Sequence, residues 1–270
     1  MDPITLDHLA VWQHTPKKKP KARVLIIHGI SEHSGRHLNT VDALNANGYE
    51  AIRFDLRGAG RSGGVRQWVD RFSDYVDDTA EVANWIHREL DPLPFFVLGH
   101  SMGGAVAIYF TAHYQSLMQG LILSAPAYLA GDSISKLLIA VGKVAVFLTP
   151  NLRIPKSSAP TDVSRDPAVV EAYLKDPLAC HFNTLRQGNE LLKAMKKIPD
   201  EITKLSLPIL FLHGTSDTIV KMQGSFELVR NVASSDKILQ ILPNVFHEPH
   251  NDYDKQAYFD LVTRWIRNHI

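Results

Sequence analysis

Short apolar runs alternate with longer helix-like stretches along this chain, and no other feature restricts its fold so strongly. The short runs cover residues 22–27, 51–56, 95–98, 120–124, 208–212 and 238–242. Their lengths suit strands buried on both faces, which lose the in–out alternation of a half-exposed strand. Between them lie residues 36–47, 72–90, 103–115, 223–233 and 253–269. In these, apolar side chains recur every three or four positions, as at Val82, Trp85, Ile86 and Leu90. The alternation predicts an α/β chain with a mostly parallel central sheet flanked by helices. Ligand sites in such sheets lie at the carboxyl ends of the strands.

The rhythm breaks between Tyr128 and Ile198, where helical patterns continue without a convincing strand. Residues 133–148 are strongly apolar, with Lys136 and Lys143 as the only charges, and Pro150, Pro155 and Pro160 punctuate the loop after them. The expected organisation is a core of residues 1–127 and 199–270, with residues 128–198 inserted above the sheet as a helical cap. The apolar stretch has two readings: a helix packed on the core, or an exposed mouth that docks on lipid aggregates.

Bulk composition narrows the partners. Lysine and arginine (29) nearly balance aspartate and glutamate (28), so nucleic acid is not an expected partner. Cys180 is the only cysteine, which rules out an intrachain disulfide and suits a reducing compartment. No signal peptide or apolar run of spanning length is evident, so the expected location is cytoplasmic, with peripheral membrane contact as the open variant. No zinc-ligand spacing and no phosphate-binding loop occur, so neither a metal nor an organic cofactor is expected. Oligomeric state is not legible.

Two pentapeptides fit Gly-x-Ser-x-Gly: Gly60-Arg-Ser62-Gly-Gly64 and Gly99-His-Ser101-Met-Gly103. The pattern arises by chance in about one chain of this length in ten, so context must choose. A serine nucleophile needs a sharp strand-to-helix turn that lifts its hydroxyl off the sheet. Ser101 follows the apolar run Phe95-Phe-Val-Leu98 and precedes the helical Ala105-Val-Ala-Ile-Tyr-Phe110. Ser62 sits in a glycine-rich loop with no helix after it. Ser101 is therefore the expected nucleophile.

Its hydroxyl needs an imidazole to take the proton and a carboxylate to orient the imidazole. Asp217, in His213-Gly-Thr-Ser-Asp217, follows the run at 208–212 and is the expected acid; the cap is thus inserted before the strand that carries it. His247, just beyond the run at 238–242, is the expected base, with His250 as its competitor. The oxyanion needs two backbone donors. Met102, after the nucleophile, and Ile30, in the turn His28-Gly29-Ile30, are the expected ones.

With these residues in place the chain resembles a family. His28-Gly-Ile-Ser-Glu-His-Ser-Gly-Arg36, Asp55-Leu-Arg-Gly-Ala-Gly-Arg-Ser62, Leu98-Gly-His-Ser-Met-Gly-Gly104, Leu123-Ser-Ala-Pro126, Tyr173-Leu-Lys-Asp-Pro-Leu178, His213-Gly-Thr-Ser-Asp217 and His247-Glu-Pro-His250 are similar, in order and spacing, to the motifs of monoacylglycerol lipases. The resemblance implies the α/β-hydrolase fold and a serine lipase that hydrolyses monoacylglycerol, or a similar single-chain lipid ester, through an acyl-enzyme. It also implies that Glu32, Arg36 and His250 hold the glycerol hydroxyls, directly or through water, with Tyr173 of the cap beside them. The chain departs from the family at Ile30, where a small residue is usual, at Asn244, where a glycine often stands, and at Val220, where mammalian members carry a cysteine. Two rivals remain: a carboxylesterase or lysophospholipase on the same triad, and a non-catalytic hydrolase-fold binding protein.

Overall fold

The computed structural model describes residues 2–131, 142, 145–156 and 158–270. Its strands, in chain order, are β1 (Ile4–Leu6), β2 (Leu9–His14), β3 (Ala22–Ile27), β4 (Tyr49–Phe54), β5 (Phe95–His100), β6 (Gly120–Ser124), β7 (Arg153–Pro155), β8 (Phe182–Thr184), β9 (Ile209–Gly214) and β10 (Lys237–Leu242). Eight form one sheet in the order β1-β2-β4-β3-β5-β6-β9-β10. From β4 to β10 all neighbours are parallel; β2 joins β4 antiparallel, and β1 joins β2 antiparallel.

The helices are α1 (Leu38–Ala46), α2 (Ser73–Glu89), α3 (Met102–Tyr114), α4 (Pro167–Lys175), α5 (Leu185–Ile202), α6 (Met222–Asn231) and α7 (Lys255–Arg267). Side chains alternate across a strand. In β3, Leu25 and Ile27 therefore join one apolar cluster, which also takes in Val82, Ile86, Val106 and Ile198 from α2, α3 and α5. Val24 and Ile26 join the opposite cluster, with Val41 and Leu44 of α1 and Phe259, Val262 and Ile266 of α7. Each such side chain stabilises the fold by about 1.5–3 kcal/mol relative to exposure. Burial on both faces explains the unbroken apolar runs. This is the expected α/β-hydrolase arrangement.

Three local expectations change. The hairpin β1–β2 lies outside the expected alternation, because β1 has only three residues and the apolar Leu9–Trp12 stretch of β2 shows no in–out alternation. The segment 128–198 is not purely helical: β7 and β8 pair as Arg153↔Thr184, Ile154↔Asn183 and Pro155↔Phe182. Strands of three residues are too short to leave a periodic signal. The last helix starts at Lys255, because a short 3₁₀ turn at Pro249–Asn251 comes first. Most of the apolar stretch 133–148 lies outside the described residues. Within it, residues 145–148 are helical, and Phe147 and Leu148 are exposed.

The segment between β6 and β9 is tied to loops at the carboxyl ends of the strands. The Cys180 N–H donates to the Ser31 carbonyl at 3.0 Å, and Ser31 Oγ to Asn183 Oδ1 at 2.6 Å. The Thr184 hydroxyl donates to the Gln67 carbonyl at 2.5 Å. The Glu248 N–H donates to Val163 O, and the Gly131 N–H to Ile219 O, each at 2.8 Å.

Candidate active site

Ser101 stands where β5 turns into α3, with φ 53° and ψ −120°. A non-glycine residue there stores about 1–3 kcal/mol of strain and needs support from its surroundings. The support is a set of backbone bonds. The Ser101 N–H donates to Ser124 O at 3.0 Å, and its carbonyl accepts from the N–H groups of Gly104 and Ala127 at 2.9 Å. A Cβ on Gly99 would strike the Gly103 carbonyl, and one on Gly103 would strike the carbonyls of Ile27 and His28. Both glycines of the pentapeptide therefore serve close backbone approach. Ser62, in the competing pentapeptide, is committed elsewhere. Its hydroxyl donates to Asp55 O at 2.5 Å and accepts from the Ala10 N–H at 2.9 Å.

Asp217 and His247 meet, although 30 residues separate them. His247 Nδ1 lies 2.7 Å from Asp217 Oδ2. The other carboxylate oxygen accepts from the N–H groups of Ile219 and Val220, each at 2.9 Å. A second histidine braces the Asp217 carboxylate. His213 Nε2 is 3.1 Å from the Val220 carbonyl and 3.3 Å from Asp217 Oδ2, while Nδ1 is 2.7 Å from Ser225 Oγ. A proton on Nε2, with the Ser225 hydroxyl donating to Nδ1, satisfies every partner. Burial raises the Asp217 pKa, but His247 and His213 outweigh it and hold the carboxyl below its usual range. Burial lowers that of His247, but the Asp217 charge and hydrogen bond, with Glu248 and Glu32 beyond, raise it above the ordinary imidazole value. With Nδ1 donating to Asp217, Nε2 is free to accept a proton.

The turn after β3 is pinned by His28. Its Nε2 accepts from the Leu56 N–H at 2.9 Å, so Nδ1 carries the proton and donates to Gly29 O at 2.8 Å. The Gly29 N–H donates to Glu32 Oε1 at 2.5 Å. Among the described residues, neither the Ile30 nor the Met102 N–H has a hydrogen-bond acceptor. Both are thus available to an incoming anion, and Ile30 lines the same cavity as Ser101.

That cavity, of about 240 Å³, is bordered by Ser101, His247, Glu32 and Tyr173. One helix supplies a large part of its apolar wall: Leu185, Gly188, Leu191, Leu192 and Met195 share a face of α5. A Cβ on Gly188 would meet nothing within 4 Å. Glu32 and Tyr173 therefore reach the cavity, whereas Arg36 and His250 stand behind its wall. Arg36 Nη2 donates to Glu248 Oε2 at 2.5 Å, its Nε is 3.6 Å from Glu32 Oε2, and its guanidinium lies 4.8 Å from the Tyr173 ring centroid. Glu32 is held well below the usual carboxylate range, the nearby His37 outweighing the effect of burial. His250 is fully buried, stacked on His37 at 4.3 Å and edge-on to His100 at 4.9 Å. Burial, with His37 and His100 adding to it, draws its pKa well below the ordinary imidazole value.

Two charged cavity residues escaped the sequence reading. Glu248 borders the cavity, and its position next to His247 was the available signal. Lys156 also borders it and carried no sequence signal, since it sits in an irregular, proline-rich stretch.

Comparisons with known proteins bear on the family and the fold. A family model described as serine aminopeptidase, S33, matches residues 18–254. A monoacylglycerol lipase of Mycolicibacterium smegmatis is 36% identical over 262 residues, which cover 96% of this chain and 92% of that protein. A monoglyceride lipase of Rattus norvegicus is 30% identical, over 94% of this chain and 85% of that protein. The crystal structure of a Paleococcus ferrophilus monoacylglycerol lipase superposes with a TM-score of 0.88 at 25% identity, covering 97% of this chain and 99% of that one. Acyl transfer from an amide or an ester draws on one set of groups, so the peptidase description and the lipase relatives share their chemistry. The chain belongs to the monoacylglycerol lipase family of α/β-hydrolase serine hydrolases.

Proposed function

We propose that this protein hydrolyses monoacylglycerol to glycerol and a free fatty acid. The observation that carries the reading is the shared cavity: Ser101 and His247 open onto it, and Glu32, Glu248 and Tyr173 border it together with the apolar face of α5. In the proposed reaction His247 Nε2 takes the proton of Ser101, whose Oγ attacks the ester carbonyl carbon. The N–H groups of Ile30 and Met102 receive the developing oxyanion. Asp217 holds the imidazole in register and stabilises its charged form. The tetrahedral species collapses, His247 protonates the departing glycerol oxygen, and an acyl-Ser101 remains. Water, activated by the same imidazole, then releases the fatty acid.

Residues 128–198 act in this reading as a cap whose α5 face holds the acyl chain. Glu32 and Tyr173 face the glycerol. Arg36 acts through Glu32, Glu248 and Tyr173, and His250 through the packing of His37 and His100. Among the described residues no helix is long and apolar enough to cross a membrane. Peripheral contact with lipid is assigned to the exposed Phe147 and Leu148 of the cap. If anionic vesicles sediment wild type and a Phe147→Asp/Leu148→Asp variant equally, this contact is wrong.

The test compares initial rates on a monoacylglycerol series, a diacylglycerol, a lysophospholipid and a short simple ester, with Ser101→Ala as the blank. Monoacylglycerols lead and the variant is inactive if the reading holds. A lead for the lysophospholipid or the simple ester would retain the triad and overturn the glycerol site.

A further inference from the structure

Lys156 follows β7 and brings a cation to the border of a cavity otherwise rich in apolar groups and carboxylates. Its ammonium lies 2.6 Å from the Tyr173 hydroxyl and 4.8 Å from the centre of that ring. The Tyr173 hydroxyl is directed at the Cys180 carbonyl, 3.4 Å away, and so accepts from the lysine. Among the described residues this is the only hydrogen bond of the ammonium, and no carboxylate lies within ion-pair distance of it. An ammonium has three donors. The other two have no partner among the described residues.

The neighbouring groups state what such donors would serve. Glu248 borders the same cavity, and its Oε2 is taken by Arg36 and Asn251. Its Oε1 accepts no hydrogen bond from the described residues. Burial draws the Lys156 pKa down, Glu248 and Glu32 oppose that, and Arg36 adds to it. A spare donor beside a spare acceptor fits a hydroxyl, which gives one hydrogen bond and takes another. Two carboxylates on the same border, Glu32 and Glu248, oppose a phosphate.

We propose that Lys156 is a specificity-determining residue whose ammonium donates to a hydroxyl of the leaving polyol, so that the enzyme favours acyl esters of polyols over esters of simple alcohols. The inference rests on the glycerol reading above and adds a residue to it. The contact forms before the ester bond breaks and is lost when the alcohol departs. It therefore acts on formation of the acyl-enzyme and not on its hydrolysis.

The test measures kcat/KM on monooctanoylglycerol and methyl octanoate, which share an acyl-enzyme and differ only in the alcohol. Lys156→Met, Lys156→Arg and Lys175→Met are compared with wild type, each normalised to reactive Ser101 by titration with a fluorophosphonate. Lys175 is exposed and paired with Glu171, so its variant controls for loss of a cap charge. The expected result is a fall of about tenfold in the polyol-to-methyl ratio for Lys156→Met. Lys156→Arg stays within about threefold of wild type, and Lys175→Met does not change the ratio. An unchanged ratio in Lys156→Met overturns the proposal. So does a selective loss on octanoylglycerol phosphate, which would make the lysine a phosphate contact. A wild type without preference for the glycerol ester would instead overturn the glycerol reading itself.

Discussion

The loops at the carboxyl ends of β5, β9 and β10 and the segment between β6 and β9 reach one cavity by different means. Ser101, Asp217 and His247 belong to the loops, and the backbone around them is cross-bonded to neighbouring strands. Ser101 is held through Ser124, Gly104 and Ala127, and Asp217 by two amides and His213. The inserted segment lines the cavity with Lys156, Tyr173 and the apolar face of α5. It is joined to the core by scattered hydrogen bonds, such as that from Cys180 to Ser31, and by α5 side chains such as Ile198 that pack in the apolar core. A reacting group must keep its place within a fraction of an ångström. A specificity wall needs only the right volume and polarity. The two regions meet these demands separately, so each should respond to substitution in its own way.

The largest break is expected in the loops. Ser101→Ala should lower kcat by about 10⁵-fold or more on every ester, whatever its chain or alcohol. A loss confined to one substrate class would mean that another group supplies the nucleophile. Asp217→Asn should cost about 10⁴-fold, because the amide presents a donor where Nδ1–H needs an acceptor. A circular dichroism spectrum matching wild type would locate the loss in the imidazole tautomer rather than in folding.

Gly188 sharpens the other side of the comparison. Gly188→Leu fills open cavity space without striking the backbone. The ratio of long-chain to short-chain kcat/KM should fall by about tenfold. The same change gives a helix interior a better helix former, so stability should rise by about 0.5–1 kcal/mol in urea titration. A core residue would show both activities falling together. A fall on short chains equal to that on long ones would remove Gly188 from the acyl wall.

The smallest effect is on pH. The base works only when neutral, and His247 is raised above the ordinary value of about 6.5. The acidic limb of kcat/KM should therefore lie above pH 6.5, and Asp217→Asn should move its midpoint down in the residual activity. The same raised pKa contributes stability that is complete below about pH 6.5, the unfolded value, and fades as pH rises through the folded one. An acidic limb that midpoints below pH 6 in wild type would contradict the Asp217–His247 pairing.

The sheet was legible because parallel strands buried on both faces leave unbroken apolar runs, and those at 22–27 and 120–124 match β3 and β6 end to end. Ser101 and Met102 were legible because an elbow is a local motif: its glycines, its strand and its helix are contiguous. The pair β7–β8 was not, since three residues have no period and each strand finds its partner far away in the chain. Nor was the choice between Gly-x-Ser-x-Gly copies a matter of pattern. Strand-and-helix context chose Ser101 in the sequence, and the structure adds that the Ser62 hydroxyl is bonded to Asp55 and Ala10.

By itself the sequence determined the fold class and the elbow, and it singled out Asp217 and His247 as the expected acid and base, because each depends on short-range order along the chain. Only the tertiary structure decided which side chains share the cavity. It set Arg36 and His250 behind the wall, brought Glu248 and Lys156 to its border, and left Gly188 facing open space. The physical reason is that a cavity is assembled from segments far apart in the chain. Its occupants depend on how the segment between β6 and β9 settles across strand ends, and no spacing of residues encodes that.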